Sequence, residues 1–188
     1  MSALALELSE RRDRLGLKGP RAADWLVTQG IDLPPTPNTW MHSEEVIAGD
    51  ALLVARLGAA EFFLEDGTAG TTLKRISPAL GKNPPGVYPV LREDWAFRLG
   101  GERVHEVLAQ VCNVNFAALS LDSRPLIMTL MIGVTVLVVP QSVAGGGPVG
   151  AAERHYRIWC DPTFGPYLGE SLGAVVIECG GKYTGVSG

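Results

Sequence analysis

The segment nearest to a phosphate-binding loop is Gly180-Gly181-Lys182-Tyr183-Thr184. Such a loop needs a glycine five residues before the Gly-Lys pair and a Ser or Thr directly after the lysine. Backbone N–H groups then cradle the phosphates, and the hydroxyl reaches the metal. Those places hold Val176 and Tyr183, so nucleotide binding is not expected there. Gly145-Gly-Gly-Pro-Val-Gly150 lacks the spacing and the strand-to-helix setting of a dinucleotide fingerprint. It reads as a flexible hairpin tip. The three histidines, His42, His105 and His155, include no pair at metal-ligand spacing. His105 falls on a helix face opposite a valine stripe and reads as solvated. His155 sits in a basic cluster with Arg154 and Arg157, which is either an anion site or, more simply, a solvated strand edge. His42 follows a proline-rich loop and carries no signal.

Nucleophile motifs are missing as well. No Gly-x-Ser-x-Gly is present. Cys112, Cys160 and Cys179 are odd in number, have no close pair and have no histidine beside them. They read as free thiols of a reducing compartment rather than a disulfide framework or zinc cluster. Cys112 ends a predicted helix, where the dipole disfavours a thiolate, so a buried structural thiol is expected. Glu44-Glu45 and Glu65-Asp66 are paired acids. Acid–base chemistry needs two carboxylates in unlike environments. Adjacent loop positions rarely supply them, and solvated turns are expected. Of Trp25, Trp40, Trp95 and Trp159, two fit core positions. Trp40, just after Pro37-Asn38, is either core or an exposed interface aromatic. The expectation is a chain with no catalytic, cofactor-binding or metal-ligating residue of its own.

The totals narrow the class. With 188 residues and 46% hydrophobic content, the chain fits one domain or two fused lobes with an ample core. A net charge of −4 and a pI near 5.4 give no electrostatic footprint for nucleic acid or an anionic membrane. The longest apolar run, 126–139, is 14 residues, short of the roughly 20 a spanning helix requires. It contains Thr129, Gly133 and Thr135 and reads as two buried strands meeting near Gly133. The apolar start is short and its arginines follow rather than precede it, unlike a secretory leader. A cytoplasmic protein is expected.

The elements that would position any site come from a repeat. Leu15-Gly-Leu-Lys-Gly19-Pro-Arg21-Ala-Ala-Asp-Trp25-Leu26 returns as Phe97-Arg-Leu99-Gly-Gly101-Glu-Arg103-Val-His-Glu-Val107-Leu108 at a gapless offset of 82 residues. Each copy reads as a strand, a glycine turn and an amphipathic helix. The first helix is predicted over 20–29, with Pro20 at its first position and Gly30 in the left-handed position past its end. The second, 102–111, carries Val104, Val107, Leu108 and Val111 at i, i+3, i+4 and i+7. Strands are predicted over 51–57, 61–64, 87–91, 95–99 and 155–159, with helices over 71–80 and 166–172. Lys82-Asn-Pro-Pro-Gly86 reads as the linker between halves. The predicted organisation is an N-terminal arm (1–14), which either docks or is mobile; one duplicated domain (15–172, halves 15–86 and 87–172); and a frayed C-terminal tail (173–188). Strand pairs joined by short turns favour an α+β fold with largely antiparallel sheet.

The order of these motifs resembles the gamma subunit of bacterial heterotetrameric sarcosine oxidase. In the first half the likeness lies in Leu15-Gly-Leu-Lys-Gly19-Pro-x-Ala-x-x-Trp25-Leu26, Pro34-x-x-Pro37-Asn38, Arg56-Leu57-Gly58 and Glu61-Phe62-Phe63-Leu64. In the second it lies in Arg92-x-Asp94-x-x-Phe97-x-Leu99, Val107-Leu108-Ala-Gln-Val-Cys112-x-Val-Asn-Phe116 and Tyr156-Arg-Ile-Trp-Cys-Asp161-Pro-Thr-Phe-Gly-Pro-Tyr167-Leu168. The resemblance implies a duplicated α+β fold like the folate-binding domain of glycine-cleavage aminomethyltransferases. It implies partner subunits alpha, beta and delta. It implies that FAD, FMN, NAD, tetrahydrofolate and zinc sit on those partners, with no cofactor bound by this chain. Such a complex oxidatively demethylates sarcosine to glycine, giving hydrogen peroxide and formaldehyde or 5,10-methylenetetrahydrofolate. Related N-methyl amino acid dehydrogenases, such as N-methylglutamate dehydrogenase, use similar gamma chains. A free-standing folate-binding aminomethyltransferase-like protein is the other reading, and a scaffold whose repeat is coincidental is the third.

Overall fold

The protein is described by a computed structural model covering residues 3–43, 51–68, 70–143 and 153–185. Its first half contains β1 (Ala5–Leu8), β2 (Arg14–Lys18), α1 (Ala22–Thr28), β3 (Thr39–Ser43), β4 (Leu52–Gly58), β5 (Glu61–Glu65), α2 (Thr71–Leu80) and β6 (Tyr88–Leu91). There follow β7 (Trp95–Gly100), α3 (Val104–Val111), β8 (Ile127–Met131), β9 (Val134–Val143), β10 (Glu153–Cys160), α4 (Gly165–Glu178) and β11 (Lys182–Thr184). The chain divides into two compact units: a continuous one, Arg11–Glu93, and a discontinuous one, Met1–Glu10 with Asp94–Gly188.

In the continuous unit the sheet order is β3-β4-β5-β2-β6, antiparallel throughout. Alternation sends Leu17, Leu52, Val54, Phe62 and Leu64 to one face, where Ala22 and Leu26 of α1 and Leu73 and Ile76 of α2 complete the core. In the discontinuous unit the order is β11-β1-β7-β10-β9-β8, with only the β1–β11 pair parallel. Here Leu6, Phe97, Leu99, Val136, Val138, Tyr156 and Ile158 meet the valine stripe of α3 and Leu168, Leu172 and Val176 of α4. All four stripe residues of α3 are buried, as their spacing predicts. The run 126–139 is a hairpin, β8–β9, turned by Ile132 (φ 49°) and Gly133 (φ 80°). Positive φ at both central residues matches the right-handed twist of the flanking strands.

The repeat is real in three dimensions. Both copies are strand, positive-φ glycine and helix: β2, Gly19 (φ 124°), α1, and β7, Gly101 (φ 110°), α3. The two sheets also share a strand order. β3-β4-β5-β2-β6 corresponds to β8-β9-β10-β7-β1. The last member of each row is exchanged. β1 precedes the first copy in the chain yet pairs with β7, and β6 precedes the second yet pairs with β2. Each glycine allows the crossing backbone to come close. A Cβ on Gly19 would strike the Gly86 carbonyl, and one on Gly101 would strike the Ala3 and Leu4 backbone.

Several boundaries differ from the sequence prediction. Residues 5–8, assigned to an arm, are a strand paired on both sides. Leu4 and Leu6 face the core while Ala5 and Glu7 face away, the period of a strand. The break 82–86 does not divide the compact units, because β6 beyond it pairs back onto β2. α1 begins at Ala22, whose N–H donates to Gly19 O (3.0 Å), so Pro20 lies in the preceding turn. Gly30 takes the predicted left-handed conformation (φ 77°). α4 continues past Leu172 to Glu178, and β11 follows within the predicted tail. A row of glycines, Gly165, Gly169 and Gly173, lies on the buried side of α4. Aromatic rings lie directly on them: Trp95 on Gly165, Phe97 and Tyr183 on Gly169, and Tyr183 on Gly173.

Candidate functional site

The open-packed chemistry of this chain lies on the face of the six-stranded sheet opposite α3 and α4. Cross-strand register sets it out in rows. His155 of β10 stands opposite Gly100 of β7, which stands opposite Ala5 of β1. In the next row Arg157 opposes Arg98, and Arg98 opposes Glu7. The row of small residues beside His155 leaves a hollow of about 270 Å³, lined by Ala3, Ala5, Glu7, Arg98, Gly100, Gly101, Glu153 and His155. Gly100 is small because a Cβ there would press on His155 Cβ at 3.0 Å.

His155 is therefore not on a solvated edge. β10 is paired on both sides, by β7 and β9, so its histidine is enclosed by neighbouring strands. Its Nε2 lies 2.6 Å from Gln141 Oε1, and its Nδ1 is buried with no protein hydrogen bond. Burial, then the nearby Arg98 and Arg157 charges, push its pKa down to about 4. The basic cluster read along the sequence is split by strand alternation. Arg154 points to the other face and donates to Phe116 O (3.1 Å), while the Arg157 guanidinium lies 4.7 Å from the Trp159 ring centroid. Arg98 and Arg157 face each other directly, an unfavourable like-charge pair.

The neutral state of His155 has a measurable consequence. Between about pH 4 and the ordinary histidine value of 6.5, the unfolded chain holds a proton that the folded chain does not. Stability must then fall as pH drops through that window. Urea unfolding midpoints at pH 7 and pH 5 are expected to differ more for the native chain than for His155→Gln. Equal pH slopes would show that this ring is not enclosed as described.

His105 is not free in solvent. Its Nε2 is 2.7 Å from the hydroxyl of fully buried Tyr156, and burial and then Arg154 lower its pKa. The acid pair Glu65-Asp66 is the largest departure from expectation. Both residues are 1% exposed rather than solvated. Arg14 opposes Glu65 in the β2–β5 register and meets its Oε2 at 2.6 Å through Nε. Asp66 accepts the Leu73 N–H at 2.8 Å and the Gly67 N–H at 3.2 Å, tying down the start of α2. These carboxylates hold the fold together and are already engaged. Glu44-Glu45 and the 145–150 segment lie outside the described residues.

Trp40 is core rather than an exposed anchor, at 8% exposure. All three cysteines are buried and unbridged. Cys112 Sγ contacts Thr129 Oγ1 at 3.6 Å, and burial, then Asp94 and Asp161, push the Cys160 thiol up to about 12. A thiol shifted so far is a poor nucleophile at neutral pH. The 180–184 segment is a helix-to-strand turn, the reverse of the strand–loop–helix order of a phosphate loop. Among the described residues, no three His, Cys, Asp or Glu side chains converge as a metal site, and no helix is long and apolar enough to cross a membrane. A second, smaller groove of about 140 Å³ in the continuous unit is lined by Arg21, Asp24, Trp25, Thr28, Pro84, Pro85 and Val87.

No protein-family model and no curated protein matches the chain. Solved structures do. A chain of the heterotetrameric sarcosine oxidase from Corynebacterium sp. U-96, in complex with pyrrole 2-carboxylate, superposes with a TM-score of 0.65 at 21% identity, over 96% of this chain and 87% of that one. The glycine cleavage system aminomethyltransferase T from Bartonella henselae superposes with a TM-score of 0.61 at 16% identity, over 91% of this chain. This chain spans 45% of that enzyme's length. At these identities the likeness establishes architecture: the chain has the α+β fold common to the sarcosine oxidase chain and to part of the aminomethyltransferase.

Proposed function

We propose that this chain is a structural, non-catalytic subunit, in the gamma position, of a heterotetrameric sarcosine oxidase-like complex. In this reading the alpha, beta and delta partners carry FAD, FMN, NAD, tetrahydrofolate and zinc. They demethylate sarcosine to glycine, with hydrogen peroxide and formaldehyde or 5,10-methylenetetrahydrofolate as products. The observation that supports it best is the end-to-end match in length, 96% of this chain against 87% of a chain from such an assembly. The buried, engaged state of Glu65, Asp66 and the three thiols fits a chain that supplies scaffold rather than reacting groups. Exposed apolar residues on edge strands, Met128 and Leu130 of β8 and Leu91 of β6, fit a chain that is covered in an assembly.

Affinity purification of the tagged chain from its native host is expected to yield a yellow complex with three companion chains. That complex should oxidise sarcosine or, if it is the related dehydrogenase, N-methylglutamate. The chain alone should be colourless and inactive. A chain that purifies without companions, or that turns over substrate unaided, would overturn the reading. The aminomethyltransferase likeness supports a second reading, a free-standing folate-binding protein. Micromolar tetrahydrofolate binding by the isolated chain, about −8 kcal/mol, would favour it.

A further inference from the structure

We propose that the hollow beside His155 binds a linear zwitterion, with its carboxylate on Arg98 and its ammonium group at Glu153. The lining carries both signs of charge and places them apart. Arg98 lies in the row of Arg157, while Glu153 lies four residues back along β10. At about 3.3 Å per residue that is roughly 13 Å between backbone positions, and both residues line one space. Between them the lining is small, Ala3, Ala5, Gly100 and Gly101, and uncharged His155 lies alongside.

The charges in the hollow are not spent on one another. Arg98 makes no hydrogen bond or ion pair among the described residues, although Glu7 stands opposite it in register. Its other neighbour across the ladder is Arg157, a like charge. A carboxylate on Arg98 would relieve that repulsion and gain a charge-assisted, bidentate contact. Glu153 likewise makes no ion pair among the described residues and would take the ammonium end. A plain anion would be repelled by Glu7 and Glu153, and a plain cation by Arg98. The separation of the charges favours an ω-amino acid over an α-amino acid.

The test is equilibrium dialysis of the full-length chain, in whatever assembly it purifies, with radiolabelled 6-aminohexanoate at neutral pH and low salt. Hexanoate, hexylamine and glycine serve as competitors. One zwitterion per chain is expected, with each competitor weaker by about ten-fold or more. Arg98→Gln and Ala5→Leu should each reduce binding about ten-fold, the first by removing the cation and the second by filling the hollow. Glu153→Gln should weaken the zwitterion and strengthen hexanoate, and Glu7→Gln should strengthen both by removing a like charge from beside the bound carboxylate. Equal affinity for hexanoate or hexylamine, indifference to the Arg98 and Ala5 variants, or no binding would overturn the proposal. Because the readout is binding and not companionship or turnover, its failure leaves the subunit reading standing, and the reverse holds.

Discussion

Replacing Glu65 with Gln is expected to lower the free energy of unfolding by about 3–5 kcal/mol, the range for removing one partner of a buried ion pair. The Arg14 and Glu65 side chains are 5% and 0% exposed and meet at 2.6 Å. Taking away the carboxylate charge leaves a guanidinium in a place that water does not reach. The loss belongs chiefly to the guanidinium deprived of that carboxylate and not to the pair as such. Arg14→Met with Glu65→Leu should therefore recover most of the stability lost in Glu65→Gln. Urea denaturation of Arg14→Met, Glu65→Leu and their double at pH 7 gives the coupling directly. A Glu65→Gln chain within about 1 kcal/mol of the parent would mean the pair is open to solvent.

Gly173→Val is expected to destabilise by about 3 kcal/mol, at the upper end of the overpacking range. A Cβ at Gly173 would strike the ring of Tyr183, and one at Gly169 or Gly185 would meet the same side chain. Tyr183 cannot retreat without taking β11 with it, and β11 is joined to β1. The larger side chain should thus free β11 from the sheet as well as strain α4. Hydrogen exchange is expected to rise at Lys182–Thr184 before it rises in β7 or β10. Tyr183→Ala in the same chain should restore α4, because the obstacle is then gone. A Gly173→Val protein as stable as the parent would show that the ring does not rest on the helix.

What the sequence makes legible here is local. The valine stripe of α3, the hairpin at Ile132-Gly133 and the strand–glycine–helix repeat each depend on residues a few positions apart, and each is found as expected. What it hides depends on distant partners. Glu65 and Asp66 look like a solvated turn until Arg14, 51 residues away in the chain, is placed against the first of them. His155 looks like an edge residue until β7 and β9 close on either side of its strand. The hollow is harder still to foresee, because it is made by what Gly100 and Ala5 lack. One signal was available: alternating Leu4 and Leu6 already carry the strand period in a segment otherwise read as an arm.

The exchange of leading strands bears on how the chain is made. β1 leaves the ribosome before its partners, and it meets β7 only after the whole continuous unit has been synthesised. It meets β11 later still: the Thr184 hydroxyl that donates to Leu6 O is 178 residues away. β1 must wait, with Leu4 and Leu6 unsheltered, until β7 and then β11 have been made. Closure over such distances is slow and leaves a sticky edge available meanwhile. β1 is thus the natural place for a chaperone to hold this protein during its birth.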